Sequence, residues 1–599
     1  MASRCGRLLR SPSADARSAD DVIVFKGLVS ISSNLKRFAK GGVLPKLLQV
    51  CFQLLATCIG EDEAEEEADE DERDVGYSAK AVIEALAESA PPELILPMVF
   101  KFVTPAAGST DTRQRWAALH VISAAAGGCG EYIRMTCLND VMRLVCTLLR
   151  DPMLAVRRRA CSTLSDLGFY CQPDIAEYSA TTLPLLIESI REVSAEMMSA
   201  AAEAIEQCLN PDAPPPNVVE HIAPLMQRLM KMCEMDEDVH RIAVSCMGRI
   251  AKVTPAGFLP YAPVVLQHLT RIISTPDASE VDLDLVCQAL DTVGCIVSSV
   301  EDPAPMAQLI KELTELVFNA MARFADPDVT VAGYHYFGSL AESVPAECTA
   351  LLPRLLPIVH ASCTSTQGLP GHGEDLFAGG DDGGEGGAAG GGGGGDVVAV
   401  RTSYVQVKET ACTLFVALST DLGKSFLPHA AAAFERVLSL RQGAAMEYAS
   451  LRQETGYALA GLAASIFTNG SGVTEWKAGL PPPPGLAANV QTALGVAVKA
   501  QFELLQDRDR NVVRNGLDAM KIILTAAGPF IFTATGQAEQ LMEALSIFLQ
   551  GKAPCFLDAT DEDGAGLAAE DLLTDELTMN VIEDAFDTIV AAAAALGPV

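Results

Sequence analysis

One short pattern recurs along the chain at nearly constant spacing and constrains the fold more than any other sequence feature. Each copy has an acidic or proline-containing turn, a valine, a polar or basic helix start and then small apolar residues. The clearest copy runs from Asp151 through Val156 to Leu167. Weaker copies begin at Asp111, Val193, Asp236, Ser279, Asp326 and Asp507. Successive starts from Asp111 to Asp326 are about 40 to 47 residues apart, which is typical of tandem two-helix repeats.

An apolar segment long enough for a helix precedes each of these turns. Examples are residues 183–190 and 258–273. Each repeat is therefore expected to contain an A helix, a tight turn and a B helix. In the copies with Asp-Pro turns, the aspartate is expected to cap the B helix and the proline to fit its first turn.

The period is that of HEAT repeats, and it predicts an all-α fold: a HEAT-repeat α-α superhelix (solenoid) of about eleven helix pairs. A single pair cannot bury its own apolar face, so neighbouring pairs must stack on one another. The expected product is a long superhelix with an extended concave surface, which is suited to binding another macromolecule.

Composition shifts divide the chain. Residues 1–20 are expected to be disordered, residues 21–370 and 397–599 to form HEAT repeats, and residues 371–396 to form a Gly-rich acidic loop. A second acidic loop, residues 61–74, interrupts the first block. The segment from Asp21 to Phe38 resembles a B helix without its A helix, and neither terminal repeat looks polar enough to cap a stack. These ends predict a fragment or an incomplete gene model.

Both loops are expected to leave the same rim of the stack, between an A helix and its B helix. The first loop separates Val43–Cys58 from Val75–Ala90, and the second separates Cys348–Cys363 from Tyr404–Thr420. Neither loop can bury apolar surface, so both are expected to be mobile. The proline run of residues 481–485 is interpreted as a turn or spacer.

The charge of the chain limits its partners. Its 43 basic and 77 acidic side chains give a formal net charge of −34 and an isoelectric point near 4.6. Duplex DNA and anionic membranes require lysine and arginine, so neither is expected as a partner, and a basic partner is the natural complement. No apolar run approaches the roughly 20 residues of a membrane-spanning helix, and the N-terminus lacks the apolar core of a secretory signal.

The sequence contains no recognisable catalytic, metal or cofactor site. The 17 cysteines include no Cys-x-x-Cys pair and are interpreted as buried, reduced thiols of a cytosolic or nuclear protein. His360 and Cys363 have the spacing of half a zinc site but lack a second half, so a packed helix end is favoured. His335 is expected on a B-helix face. The glycine tract 379–395 follows no strand and opens no Lys-Ser/Thr helix, which argues against phosphate binding.

Four stretches carry a resemblance to a known family: residues 45–51, 89–97, 151–175 and 400–412. The most specific is the last, where Val400-Arg401-Thr402 precedes a Lys-Glu-x-Ala-Cys helix just after an acidic loop. Together they resemble the importin beta superfamily of nuclear transport receptors, and within it the branch of importin-4 and yeast Kap123, with importin-5 as the neighbouring possibility. The likeness runs from residue 21 to about residue 590, as the middle of such a receptor.

The resemblance implies carriage of basic proteins, typically histones or ribosomal proteins, through nuclear pores. It also implies contact with phenylalanine-glycine (FG) repeats of nucleoporins, release of cargo by Ran-GTP, and shuttling between cytoplasm and nucleus without enzymatic chemistry. Family members begin with further repeats that engage Ran-GTP, and no counterpart to those precedes Asp21. Ran-regulated release is therefore the least supported of these expectations.

The candidate cargo-binding residues lie mainly in the acidic loops. The first set is Glu65, Glu66, Glu67, Asp69, Glu70 and Asp71, and the weaker second set is Asp381 and Asp382. An acidic run also suits a solvated linker that only keeps a protein soluble, whereas the functional interpretation is an electrostatic lure for lysine-rich ligands. Trp116 is expected to pack between repeats, with clamping of a bound lysine as the alternative.

Two further functions remain open at this stage. A HEAT scaffold would hold partners that are not uniformly basic and that Ran-GTP does not displace. A histone chaperone without transport activity would bind the same basic cargo but ignore nucleoporin peptides. An enzyme is the least favoured, because it would need a pocket with clustered, perturbed carboxylates.

Overall fold

The computed structural model describes ten stretches of the chain. They are residues 43–57, 70–190, 194–215, 218–275, 282–300, 306–369, 393–479, 485–532, 536–556 and 576–597. Within them the fold is all-α, with no strand. The B helix expected at residues 21–38 and the proline run at 481–484 lie outside the described residues.

The helices alternate along the chain between A and B positions, with one additional short helix, α11 (Pro255–Phe258). The A helices are α1 (Val43–Thr57), α3 (Pro92–Ala107), α5 (Leu138–Leu148), α7 (Ser179–Ser189), α9 (Val218–Met232), α12 (Ala262–Ile273), α14 (Ala307–Phe324), α16 (Pro345–Thr364), α18 (Leu427–Leu440), α20 (Ala488–Leu504) and α22 (Gln537–Leu549). The B helices are α2 (Glu70–Ser89), α4 (Thr112–Thr136), α6 (Leu154–Tyr170), α8 (Ala195–Cys208), α10 (Glu237–Val253), α13 (Leu283–Ser298), α15 (Pro327–Ser343), α17 (Gly393–Asp421), α19 (Ala449–Gly470), α21 (Arg510–Ala527) and α23 (Glu576–Leu596). The described residues thus contain the eleven pairs that the repeat period predicted.

The helices form two compact units. Helices α1–α11 belong to the first and α13–α23 to the second, and the boundary lies within α12, between Leu266 and Gln267. In each unit, successive B helices pack on one another more extensively than successive A helices do. Close packing along one side of a stack curves that stack, so the B helices form the inner layer of each unit.

Small residues allow the B helices to approach closely. A Cβ added to Gly128 of α4 would lie 2.3 Å from the backbone of Ala87 in α2, and one added to Gly168 of α6 would lie 3.0 Å from Gln207 of α8. Runs of alanine and glycine in the B helices are therefore a packing requirement, since a larger side chain would force the helices apart.

Residues of the recurring turn cap six of the described B helices. The capping side chains, each accepting a hydrogen bond from a backbone N–H of the first turn, are Asp111, Ser194, Asp236, Asp282, Asp326 and Asp509. The Asp326-Pro327 turn has the expected geometry, with Pro327 in the first turn of α15. The same expectation was wrong for Asp151-Pro152, because α6 begins only at Leu154. The Asp151 carboxylate is held by Arg115 of the preceding repeat and accepts from the Met153 N–H in its own turn.

Three helix boundaries differ from the sequence-based expectation. Helix α2 begins at Glu70 rather than Val75, because glutamate is a good helix former and acidic residues are favourable near a helix N-terminus. Helix α17 begins at Gly393 rather than Tyr404, and nothing in its glycine-rich start explains the extension. The segment 258–273 is divided between α11 and α12, with hydrogen-bonded turns between them.

Fifteen cysteines lie in the described residues, and all are free; twelve are buried and three are half-buried. Burial raises the pKa of most of these thiols; for example, the pKa of Cys51 rises to about 12. The expectation of buried structural thiols is confirmed for these residues. Cys363 is among the buried ones, and His360 packs its ring against Phe415 of α17, as expected for a packed helix end.

An irregular segment, residues 471–479, follows α19 and contacts two later B helices. The Trp476 ring lies against Gly528 at the end of α21, where an added Cβ would come within 2.2 Å of the indole. The Gly479 N–H donates to the Ala595 carbonyl of α23 at 3.0 Å. Three consecutive B helices of the second unit are thereby connected at their C-terminal ends.

None of the helices described in these ranges is long and apolar enough to cross a membrane.

Candidate functional site

The structure describes only part of the acidic set picked from the sequence. Glu65, Glu66, Glu67, Asp69, Asp381 and Asp382 lie outside the described residues, and their role in cargo binding stays a prediction. Glu70 and Asp71 are the first two residues of α2.

Trp116 is half-buried on α4 and stacks on His120, with ring centroids 4.7 Å apart and planes inclined by 17°. The pKa of His120 falls to about 2 because burial disfavours the charged ring, and because Arg159 and Lys80 add positive charge nearby. The neighbourhood of this stack is therefore cationic. Lysine clamping by Trp116 remains a prediction, and the observed stacking on a helix neighbour is what a packing role requires.

A different group of carboxylates comes together in the second unit. They project from four consecutive B helices, α13, α15, α17 and α19, and we call them the acidic face. Its members, all exposed or half-buried, are Asp284, Asp291, Asp328, Glu342, Glu409, Asp421 and Glu454. Seven-residue spacings such as Asp284 to Asp291 on α13 keep successive carboxylates on one side of a helix.

Positive charge is nearly absent from this face. Among the described side chains of α13, α15 and α17, the only lysine or arginine is Lys408, which is 1% exposed. Its ammonium group points away from the face and donates to the Gln367 carbonyl at 2.7 Å and the Tyr404 carbonyl at 3.3 Å. Helix α19 carries Arg452, whose guanidinium binds Asp507. The described side chains of α13 and α15 include no lysine or arginine.

Polar contacts hold the carboxylates across neighbouring B helices. His335 Nδ1 lies 3.1 Å from Asp291 Oδ1, Ser403 Oγ donates to Asp328 Oδ2 at 3.4 Å, and Thr413 donates to Glu454 Oε2 at 3.2 Å. Each contact joins one B helix to the next. The face is thus a continuous feature of the inner layer of this unit.

The negative charges are close enough to affect one another. Burial raises the pKa of Glu454, and the charge of Glu409 adds to that effect. The pKa of Asp421 is raised by burial and by Glu342. The pKa of the Cys287 thiol rises to about 12 through burial and the surrounding aspartates, among them Asp328 and Asp291. A bound cation would relieve this repulsion.

The B helices of the first unit have a different charge balance. Arg115 binds Asp151, Arg134 lies 3.2 Å from Asp174, and Arg159 lies 3.9 Å from Asp166. Arginines of α4 and α6 thus lie beside three carboxylates of this unit. The described parts of α13 and α15 in the second unit, by contrast, contain no lysine or arginine.

Two grooves lie between neighbouring A helices of the first unit. A cavity of about 580 Å³ between α3 and α5 is lined by Phe100, Ala107, Leu144 and Leu148, with Asp140 and Arg143 at its edge. A second, of about 660 Å³, lies between α1 and α3 beside the Phe52 and Phe102 rings, whose centroids are 5.3 Å apart. Both grooves could accept an apolar side chain on the outer layer.

Comparison with known proteins identifies relatives of this chain and solved structures with a similar fold. No protein-family model matches the chain. Human importin-4 is 27% identical over 597 residues, which cover 95% of this chain and 53% of the relative. Mouse importin-4 is 26% identical, with 88% and 50% covered. The crystal structure of the karyopherin Kap121p bound to the C-terminus of the phosphatase Cdc14p superposes with a TM-score of 0.69 at 14% identity, covering 99% of this chain and 55% of that one.

The chain is a relative of importin-4 and has the karyopherin fold. It spans about half the length of the curated relatives it matches. Solved structures of Kap121p include complexes with the nucleoporin Nup53p, the SUMO protease Ulp1p and Pho4p. The Nup53p complex shares the fold with a TM-score of 0.68 at 15% identity, covering 99% of this chain and 54% of that one.

The acidic face of this importin-4 relative was missed in the sequence-based prediction, because its carboxylates do not form a dense acidic run. The sequence feature that indicates the acidic face is a lack of basic residues. Between residues 283 and 400, lysine and arginine occur only in the A helices. A separate count of charged residues in the A helices and in the B helices would have identified the acidic face. His335 was expected on a B-helix face. It lies on α15, where its Nδ1 is 3.1 Å from Asp291 Oδ1.

Proposed function

We propose that this chain is a nuclear import receptor that binds basic protein cargo on its acidic face. The observation that carries the proposal is a run of exposed or half-buried carboxylates on four consecutive B helices. The described side chains of α13 and α15 include no lysine or arginine, Lys408 of α17 is buried, and Arg452 of α19 binds Asp507. Family membership and the karyopherin fold support transport as the purpose of the binding. Cargo of the histone or ribosomal-protein type, with lysine-rich extended segments, has the complementary charge.

The acidic loops extend this proposal. Glu65, Glu66, Glu67, Asp69, Glu70 and Asp71, and more weakly Asp381 and Asp382, would raise the rate at which a basic cargo is captured. The acidic face would then hold it, since its carboxylates are positioned by contacts between B helices whereas a charge run alone gives only screened attraction.

Contact with nucleoporins is assigned to the opposite layer. The α3/α5 groove, lined by Phe100 and Leu144, has the size and apolar lining for the aromatic side chain of an FG repeat. Cargo and nucleoporin would then bind different layers of the repeats and not compete. We further propose that Ran-GTP drives release and that the chain shuttles between cytoplasm and nucleus.

A titration against a lysine-rich histone-tail peptide tests the proposal, performed at two salt concentrations with and without Ran-GTP. The test variant is Asp284→Lys/Asp291→Lys/Asp328→Lys on the acidic face. The matched control is Glu312→Lys/Glu435→Lys/Glu539→Lys, which makes the same change in net charge on exposed A-helix positions. The first variant should weaken binding at least tenfold and flatten its salt dependence, while the control should change it little.

Equal losses in the two variants would mean that only net charge matters and would refute the acidic face as the site. Binding that Ran-GTP leaves untouched, together with no affinity for FG peptides, would point to a histone chaperone. No binding to basic peptides at all would favour a scaffold.

A further inference from the structure

Two large aromatic side chains stand exposed at the C-terminal end of α6, in the first unit. Phe169 is 66% exposed and Tyr170 43% exposed. Their rings meet edge to face, with centroids 5.0 Å apart. Neither belongs to the acidic face or to the A-helix grooves.

The backbone beneath this pair is fixed by close packing on both sides. On one side, a Cβ added to Gly130 of α4 would lie 2.8 Å from the Tyr170 Cβ. On the other, the Gln172 side-chain amide donates to the carbonyls of Gly168 and of Gln207 in α8, each at 2.8 Å. The rings are therefore exposed on a rigid support rather than on a loose chain end.

Three carboxylates lie on α6 and α8 in the same part of this unit. Asp166 lies one helical turn before Phe169 and Tyr170, and Glu203 and Glu206 lie on the neighbouring α8. Burial and the charges of Glu206 and Asp166 raise the pKa of Glu203, so these three groups are near one another. Glu206 accepts from Ser245 at 2.8 Å, Asp166 accepts from Ser123, and the Arg159 guanidinium lies 3.9 Å from Asp166.

We propose that this aromatic patch, formed by Asp166, Phe169, Tyr170, Glu203 and Glu206, binds an arginine or lysine side chain of an extended basic protein segment. The aliphatic stem and cationic head would lie over the exposed rings, and the carboxylates would pair with the charge. Charge complementarity selects this occupant, because an uncharged apolar ligand would desolvate the carboxylates of Glu203 and Glu206 without supplying a positive charge. The inference rests on the proposed function and adds a second cargo contact, in the first unit.

The test compares the full-length chain with Phe169→Ala/Tyr170→Ala in a fluorescence anisotropy titration against a labelled arginine- and lysine-rich histone-tail peptide. The expected loss of affinity is roughly five- to tenfold, from removal of two aromatic contacts to cations. The control is Leu259→Ala, a side chain 60% exposed between α11 and α12, which should leave affinity unchanged. Circular dichroism should show the same helix content in all three proteins, because the substituted side chains are exposed.

A second peptide, with its lysines acetylated and its arginines replaced by citrulline, separates the possible occupants. It should bind weakly and equally to the parent chain and the double variant. If the neutral peptide binds the parent tightly and loses affinity in the double variant, the patch is an apolar docking site and the inference is overturned.

The acidic-face variant distinguishes the two proposals. Basic-peptide binding that falls in Asp284→Lys/Asp291→Lys/Asp328→Lys but not in Phe169→Ala/Tyr170→Ala would overturn this inference alone. Absence of basic-peptide binding in the parent chain would overturn both.

Discussion

Arg115 of α4 reaches into the next repeat and binds the buried carboxylate of Asp151 through two hydrogen bonds, 2.6 Å from Nε to Oδ2 and 3.0 Å from Nη2 to Oδ1. Arg452 of α19 binds Asp507 in the same manner in the second unit, at 2.7 and 3.3 Å. Each guanidinium also donates to the backbone carbonyl of the residue six positions before it, Ser109 for Arg115 and Met446 for Arg452. The same connection between consecutive repeats is thus built in each unit.

Replacing Arg115 by alanine should destabilise the first unit by about 3 kcal/mol, because the buried Asp151 carboxylate would lose the guanidinium that pairs with it. Chemical denaturation followed by circular dichroism measures the change. Arg143→Ala serves as control, since its contact with Asp140 is exposed and should contribute less than about 1 kcal/mol. Equal effects of the two substitutions would show that burial of the Arg115 pair has no energetic consequence.

Two helical glycines should respond in opposite directions to alanine. Gly128→Ala should destabilise by about 1–3 kcal/mol, because its Cβ would overlap the Ala87 backbone, which cannot move independently of α2. Gly338→Ala on α15 should stabilise by about 0.5–1 kcal/mol, because nothing lies within 4 Å and alanine is the better helix former. Thermal melts of both variants test the pair, and two shifts of the same sign would contradict this account of B-helix packing.

Lys408 should make the stability of the second unit depend on alkaline pH. Burial lowers its pKa to about 8, below the value of about 10.4 for an exposed lysine. Between these two values the folded chain has lost the proton that the unfolded chain still holds, so this residue's contribution to stability rises as pH increases.

Lys408→Met should remove that rise. Denaturation midpoints of the parent chain and of Lys408→Met, measured near pH 7 and near pH 10, give the stability difference between the two proteins at each pH. A difference that does not grow with pH would contradict the lowered pKa.

Binding of a basic cargo should be coupled to deprotonation of Glu454. Burial and Glu409 raise its pKa, and an approaching lysine or arginine would lower it again. Binding of a basic peptide should therefore strengthen as pH rises through the raised pKa of Glu454, and protons should be released on binding. Glu454→Gln should reduce the proton release measured by calorimetry in buffers of different ionisation enthalpy. Unchanged release would place the bound cation elsewhere.

Much of the architecture could be predicted because the period and the capping residues are local signals. Asp236 and Asp326 cap helices that begin one residue later, as their positions in the pattern indicate. The start of α6 could not be predicted in this way, since Asp151 binds an arginine 36 residues earlier in the chain. Such a contact depends on how neighbouring repeats are stacked.

The candidate site could be predicted only in kind. An acidic binding surface follows from net charge, but its location depends on which arginines meet which carboxylates. Asp166 and Asp291 look alike in sequence, yet Asp166 lies near Arg159 whereas Asp291 lies beside His335. Phe169 likewise resembles a core residue in the repeat pattern, and only the packing of α4 and α8 around the end of α6 leaves it outside.

Repeat stacks are expected to unfold piece by piece, because each repeat contacts only its immediate neighbours. The segment 471–479 departs from that rule: Trp476 covers the end of α21, and Gly479 bonds to α23, two repeats beyond the helix that the segment follows. The last repeat cannot separate from the stack unless the segment that follows α19 also detaches. The final three pairs of the second unit are thereby coupled into one cooperative block, so that end of the stack should resist fraying.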